Sequence, residues 1–357
     1  ADLRGRVALL TGARVKIGYH AAIKLLRAGA HVIVTTRFPA DAATRYAREP
    51  DFETFRDRLE IYGLDLRHTP SVETFAEHVK RAHTRLDYLI NNACQTVRRP
   101  AGFYRHLMDN EHRGLSGVSA EARSLLTGYE ALRRERQHGL THARHDHATG
   151  RGDGDLGIVS AAALSQVPLL EEDRREDFAL FPAGQLDADL QQVDLRARNS
   201  WRLGLSEVQT IELLEVQLVN AIAPFVLNAR LRPLMRLPTR DAHIVNVSAM
   251  EGQFYRAWKT DKHPHTNMAK AALNMLTRTS ASECIVEGIH MNSVDTGWIT
   301  DEDPAEISAR KVEEHGFSPP LDVVDGAARI VDPILDGANT GEHRWGLFLK
   351  DYVAVPW

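Results

Sequence analysis

The sequence predicts an α/β chain, a doubly wound parallel sheet with helices on both faces, interrupted by a long inserted segment. Three observations carry this. Short apolar runs alternate with stretches of helical periodicity from Val7 to Asn91. The alternation stops near Arg98 and resumes after Ser200. A glycine-bearing turn, Thr11 to Gly18, joins the first apolar run to the first periodic stretch. Alternating units of this length call for parallel strands, because a parallel neighbour is reached only through a crossover, usually helical.

Taken in order, "RVALLTG" is a strand ending in Thr-Gly, "GYHAAIKLLRAGA" a helix stopped by glycine, and "HVIVTTR" a second strand. "FETFRDRLEIYGLDL" and "VETFAEHVKRAHTRLDYLINNA" repeat the unit, each ending in a short apolar segment. Residues 98–200 are rich in Arg, His, Asp and Gly and hold helix-like pieces without alternation. The pattern returns with the helix "SEVQTIELLEVQLVNAIAPFVLNARLRPLM", the strand "HIVNVS", a helix around Lys270 and the strand "IHMNSVDTG". The division is therefore 1–97 and 201–357 as two parts of one domain, with 98–200 inserted. Because the insert leaves the core after the fourth strand, on the substrate side of such sheets, it is expected to form a lid, a substrate wall or a subunit contact.

Composition narrows the function classes. The chain has 357 residues, 43% hydrophobic and 26% charged, enough for one large core or two modest ones. A net charge of -4 gives no general reason to bind nucleic acid. No apolar run is expected to approach the roughly 20 residues of a membrane span, and "ADLRGRVALLTG" lacks the parts of a signal peptide. Two cysteines cannot build a disulfide framework, so the expectation is a cytoplasmic protein without membrane or nucleic-acid partners. His138, His142, His145, Asp146 and His147 lie close together in the insert, and a solvated loop is the expected reading over a metal site.

The turn "TGARVKIG" would cradle a phosphate, since its glycines permit close backbone approach and a helix N-terminus offers free N–H groups. Further along come Asn91-Asn92-Ala93, Asn220, Ser248, Lys270 and Gly297, in that order. With Thr11, Gly12 and Gly18, this series resembles the short-chain dehydrogenase/reductase family. The likeness covers residues 3–97 and 205–300. It implies a Rossmann-type fold, a homo-oligomer of two or four chains and a nicotinamide cofactor. It also implies cofactor contacts at Gly12, Arg14, Lys16, Ile17, Gly18, Thr36, Arg37, Asp65, Leu66, Asn92, Ala93, Lys270, Thr296, Gly297, Trp298 and Thr300.

The departures from the family pattern bear on chemistry. Lys16 stands for the middle glycine, Cys94 for the glycine after Asn-Asn-Ala, Thr296 for the proline of Pro-Gly, and Thr266 for the catalytic tyrosine. Lys16 reads as an added phosphate contact or as a side chain narrowing the pocket, and Cys94 as a small buried residue. The second strand ends "TTR", with Thr36 where an acid would bond the ribose of NAD(H) and Arg37 beside it. A guanidinium there suits a 2′-phosphate, so NADP(H) is expected over NAD(H).

The resemblance implies that the tyrosine phenol exchanges a proton with substrate, that Lys270 acidifies it and holds the ribose, that Ser248 orients the substrate and that Asn220 supports the relay. Thr266 cannot do the phenol's work, because an aliphatic hydroxyl is a far weaker acid and sits close to the backbone. Tyr255, then His263, are the expected replacements, with His265 pointing elsewhere around the helix. The expected function is an NADP(H)-dependent oxidoreductase for a small carbonyl, alcohol or activated alkene, with a non-standard proton donor. Non-redox chemistry on the same fold (elimination, isomerisation or cyclisation) and a nucleotide-binding pseudoenzyme or scaffold are the alternatives.

Overall fold

The computed structural model describes residues 1–134, 160–174, 179–187, 189–256, 259–316 and 318–357. Eight strands form one sheet: β1 (Val7–Thr11), β2 (His31–Thr36), β3 (Leu59–Gly63), β4 (Tyr88–Asn91), β5 (Ala242–Ser248), β6 (Ile289–Asp295), β7 (Phe348–Lys350) and β8 (Val353–Val355). Their order is β3-β2-β1-β4-β5-β6-β7-β8, parallel throughout except for the antiparallel β7–β8 pair. From β1 the chain builds outward to β3, then returns to start the other half at β4. That reversal leaves a crevice beyond the carboxyl ends of the strands, where ligands of such sheets bind.

The strands are buried on both faces, which is why they read as apolar runs. Ala8 and Leu10 face one core cluster and Leu9 the other, following the two-residue strand period. Helices α1 (Lys16–Arg27), α2 (Pro39–Tyr46) and α11 (Val323–Thr340) supply the first cluster. The second is filled by α3 (Thr69–Ala82), α8 (Ala223–Met235) and the C-terminal half of α9 (Pro264–Val286). Before α8 run α7 (Thr210–Gln217) and a single π turn, Leu218–Ile222. The whole stretch Thr210–Met235 is long and apolar enough to cross a membrane, which corrects the expectation that no run approaches that length. It packs on α3, β4 and β5, with 44% of its most apolar window buried and Leu214, Ile222 and Phe225 exposed.

Within the insert lie α4 (Arg105–Arg113), α5 (Ala120–Ser124) and α6 (Ala161–Leu164), and none of its described residues joins the sheet. It covers the free edge of β3: the Ile61 N–H donates to the Leu125 carbonyl at 2.9 Å, and Val118, Ala122, Leu125 and Leu126 enter the first core cluster. An unpaired strand edge invites association, and this contact closes it. The insert also crosses α2, where Arg45 donates to the carbonyls of Asp189 (3.1 Å) and Leu190 (2.8 Å). The histidines at 138, 142, 145 and 147, with Asp146, lie outside the described residues.

Glu111 on α4 accepts from the Asp41 N–H at 3.1 Å, and burial pushes its carboxyl up to about 7. A raised folded-state pKa favours folding while the group is protonated in both states, and that advantage is lost as pH rises through about 7. Glu111→Gln is therefore expected to be more stable than the parent at about pH 8, by on the order of 1–2 kcal/mol, and nearly equal to it at about pH 5. Denaturant melts at the two pH values check this.

Candidate active site

The phosphate turn is built around close backbone contacts. Gly12 has φ +70°, and a Cβ there would lie 2.8 Å from Ala93 Cα. At Gly18 a Cβ would come within 2.4 Å of the Gly12 carbonyl. Asn92 braces the turn by donating to the carbonyls of Thr11 (3.0 Å) and Gly12 (3.1 Å), and the Thr11 hydroxyl accepts from the Asn92 and Ala93 N–H groups. Lys16 takes the left-handed φ of 54° that favours glycine, and its Nζ lies 3.8 Å from Asp189 of the insert.

Above this turn is a cavity of about 350 Å3, lined by Gly12, Arg14, Lys16, Ile17, Gly18, Thr36, Arg37, Asp65, Leu66, Asn92 and Ala93 among others. It is rich in guanidinium groups. Arg14 pairs with Asp41 at 2.7 Å. Arg37 donates to the Tyr104 hydroxyl at 2.5 Å and lies over its ring at 4.5 Å. Asp65 is held by Arg67 at 2.7 Å; burial opposes ionisation, but the guanidinium prevails and lowers its pKa. Thr36 accepts from the Phe38 N–H, so no carboxylate stands at the end of β2.

A second cavity of about 520 Å3 opens beside the first and shares Ile17, Asn92, Cys94, Thr96 and Glu302 with it. It is lined by Ser248, His263, Thr266 and Lys270, and by Thr296, Gly297, Trp298 and Thr300. Lys270 is buried and donates to the Val247 carbonyl at 2.8 Å. Gly252 permits this packing, since a Cβ there would meet the Lys270 carbonyl carbon at 2.6 Å.

Residues 6–111 match the short chain dehydrogenase family, and residues 197–318 match the related group described as enoyl-(acyl carrier protein) reductase. The chain belongs to the short-chain dehydrogenase/reductase family. It is 32% identical over 93% of its length to an uncharacterised protein of Acanthamoeba polyphaga mimivirus, of which it spans 63%. It is 37% identical over 48% of its length to the Bos taurus dehydrogenase/reductase SDR family member 13, of which it also spans 48%. Solved structures of similar fold include an NADPH-bound carbonyl reductase from chicken fatty liver (TM-score 0.56, 17% identity, 99% of this chain and 100% of that one). Another is a Pseudomonas aeruginosa RhlG/NADP complex (TM-score 0.54, 17% identity, 98% of this chain and 96% of that one).

Not all of the family's site positions reach the cavities. Ser248, Thr266 and Lys270 come together on one wall, and the Ser248 and Thr266 hydroxyls are buried without a hydrogen-bond partner among the described residues. Asn220 stands behind the wall in the π turn, accepting from the Gln95 N–H at 2.8 Å and donating to the Gln95 carbonyl at 3.1 Å. It thereby fixes the loop after β4 and lines neither of these two cavities. His263 begins α9 with φ 43°, and its ring stacks on Trp201 at 3.7 Å; burial lowers its pKa.

Two expectations need correction. Tyr255 is 76% exposed and does not line the cavity, because the 249–256 loop turns its side chain to the surface. Cys94 is exposed on the rim between the cavities, not buried. His265 faces Glu212 at 3.5 Å, away from the cavity, as its place on the helix implied.

One wall residue was not singled out from the sequence. Asp295 ends β6 directly beside Ser248 in register, so both side chains stand on one face of the sheet. It is 3% exposed, and Oδ1 accepts from the Gly297 N–H at 2.8 Å while Oδ2 has no hydrogen-bond partner. Burial raises its pKa, against the pull of the Gly297 N–H and of Lys350. The nearest signal was an acid one residue before the Thr296-Gly297 pair.

Proposed function

We propose that the chain is an NADP(H)-dependent oxidoreductase acting on a small carbonyl, alcohol or activated alkene, with the proton supplied by a group other than tyrosine. The observation that carries this reading is the wall of the second cavity. There Ser248 Oγ, Thr266 Oγ1 and Asp295 Oδ2 are buried without hydrogen-bond partners, beside Lys270. Buried polar atoms of that kind normally find partners, and a bound carbonyl or alcohol would provide them.

The first cavity fits a dinucleotide. Gly12 and Gly18 admit a phosphate close to the backbone, and Arg14, Lys16 and Arg37 supply positive charge around it. When bound, the nicotinamide supplies or accepts the hydride. Lys270 would hold the ribose, Ser248 would donate to the substrate oxygen, and Asp295 would hold or release the proton there. Burial raises the pKa of this carboxyl, which favours the protonated form that an acid needs. The solved structures bound to NADP or NADPH support the choice of cofactor by likeness of fold.

Replacing Arg37 tests the cofactor reading. A charge-assisted hydrogen bond is worth roughly 1.5–3 kcal/mol, so Arg37→Ala should weaken NADPH binding by about tenfold or more and leave NADH unchanged. Calorimetric titrations that show equal affinities in the parent chain, or an unchanged preference in the variant, would refute it.

A further inference from the structure

We propose that His243, His290 and His343 form a binding site for a divalent transition ion, zinc first among them, at the end of the sheet away from the cofactor cleft. His243 and His290 are register partners near the amino ends of β5 and β6, whose carboxyl ends carry Ser248 and Asp295. His343 comes from the turn between α11 and β7. The three ring centroids lie 5.2, 5.1 and 4.8 Å apart. Each ring offers one nitrogen, and these nitrogens lie within 4.8 Å of one another.

The surroundings suit coordination. His290 Nδ1 lies 3.2 Å from the Ala242 carbonyl, so Nδ1 donates and Nε2 keeps its lone pair. A backbone carbonyl commonly fixes the tautomer of a metal-ligating histidine in this way. His243 Nε2 and His343 Nδ1 are 2.9 Å apart. Two imidazole nitrogens on a tetrahedral zinc, each at about 2.0–2.1 Å, stand roughly 3.3–3.4 Å apart, so the His243–His343 pair must open by only about 0.5 Å and the widest pair must close by about 1.5 Å at most. His343 can make these shifts, being half-buried on a turn, and that opening also admits the ion and a water as fourth ligand. Gly337 on α11 leaves the room: a Cβ there would lie 2.4 Å from His343 Nδ1 and 3.2 Å from His243 Nε2.

A donor set of three neutral imidazoles favours zinc, copper, nickel or cobalt and disfavours calcium or magnesium, which require oxygen ligands. A second cluster, His31, Glu60 and His83, is already occupied with itself: Glu60 accepts from His31 at 2.7 Å and from Tyr62 at 2.8 Å.

The test uses the full chain stripped with a chelator, then titrated with zinc by calorimetry and with cobalt by its visible spectrum. One equivalent of each should bind, cobalt should give the intense bands of tetrahedral coordination, and zinc should raise the melting temperature. His343→Ala, on a turn where folding is least at risk, should melt like the parent without metal and bind zinc at least tenfold more weakly. Gly337→Val provides a second reading by filling the space at the ring nitrogens while keeping all three histidines, and should also abolish the cobalt spectrum. Absence of binding to the parent chain overturns the proposal. So does undiminished one-equivalent binding in His343→Ala, which would place the ion at other histidines.

Discussion

Asp295→Asn is expected to lower turnover by roughly a hundredfold or more, the usual worth of a positioned proton donor, while leaving NADPH affinity within about twofold. Asp295 neighbours Ser248 across the β5–β6 register, lines the cavity that Lys270 and Thr266 also line, and carries a buried oxygen, Oδ2, that makes no hydrogen bond among the described residues and has Lys350 Nζ at 3.8 Å. Asparagine keeps the shape and the Gly297 contact and removes only the proton. The pH profile separates this role from a structural one. As donor the carboxyl must be protonated, so reductive turnover falls as pH rises through its raised pKa, and that limb disappears in the variant. His263 has a lowered pKa, so a limb that survives in Asp295→Asn and vanishes in His263→Ala moves the role there. Tyr255→Phe should turn over like the parent, because its ring stands in solvent.

Arg98→Ala should destabilise the docked insert by about 3–5 kcal/mol, the cost of leaving buried carboxylates without their cation. Arg98 is 5% exposed and donates to Glu215 at 3.0 Å, to Asp173 at 2.6 Å and 2.8 Å, and to Glu172 at 3.1 Å. Its own N–H donates to the Ser200 hydroxyl at 2.8 Å, so both ends of the insert meet at this residue. Glu215 keeps Arg67 at 2.6 Å after the change, whereas Asp173 loses its only ion-pair partner among the described residues. The loss should therefore show first as protease cleavage within 160–174, ahead of global unfolding. Equal resistance of parent and variant to limited proteolysis would contradict the anchoring role.

The fold was legible because its strands are buried on both faces and its phosphate turn depends on glycines. Those constraints act within a few residues, so Val7–Thr11, Gly12 and Gly18 announce themselves in order. Lys16 shows the limit of such reading: its departure from glycine was visible, but only the structure shows that it keeps the glycine-like φ of 54°. Asp295 was missed because its meaning comes from a neighbour 47 positions away in sequence, Ser248, brought alongside by register. Tyr255 has the right chemistry and lies near Ser248 in sequence, yet a loop's course is set by tertiary contacts that nearness does not encode. The insert gave no periodic signal because its pieces are short and anchored by scattered ion pairs such as Arg98–Asp173 and Arg45 with the carbonyls of 189 and 190. The three histidines at 243, 290 and 343 escaped notice for the same reason as Asp295, since no local spacing links them.

The account turns on hydride transfer inside the second cavity, and the most direct measurement is isotope transfer. NADPH deuterated at the reactive nicotinamide carbon would be incubated with the protein and a panel of small aldehydes, ketones and activated alkenes, and the products weighed by mass spectrometry. The account predicts deuterium in at least one product, with NADPH preferred over NADH, and its loss in Lys270→Met. Saturable NADPH binding without deuterium in any product would contradict it and point to non-redox chemistry or to silent binding of the nucleotide.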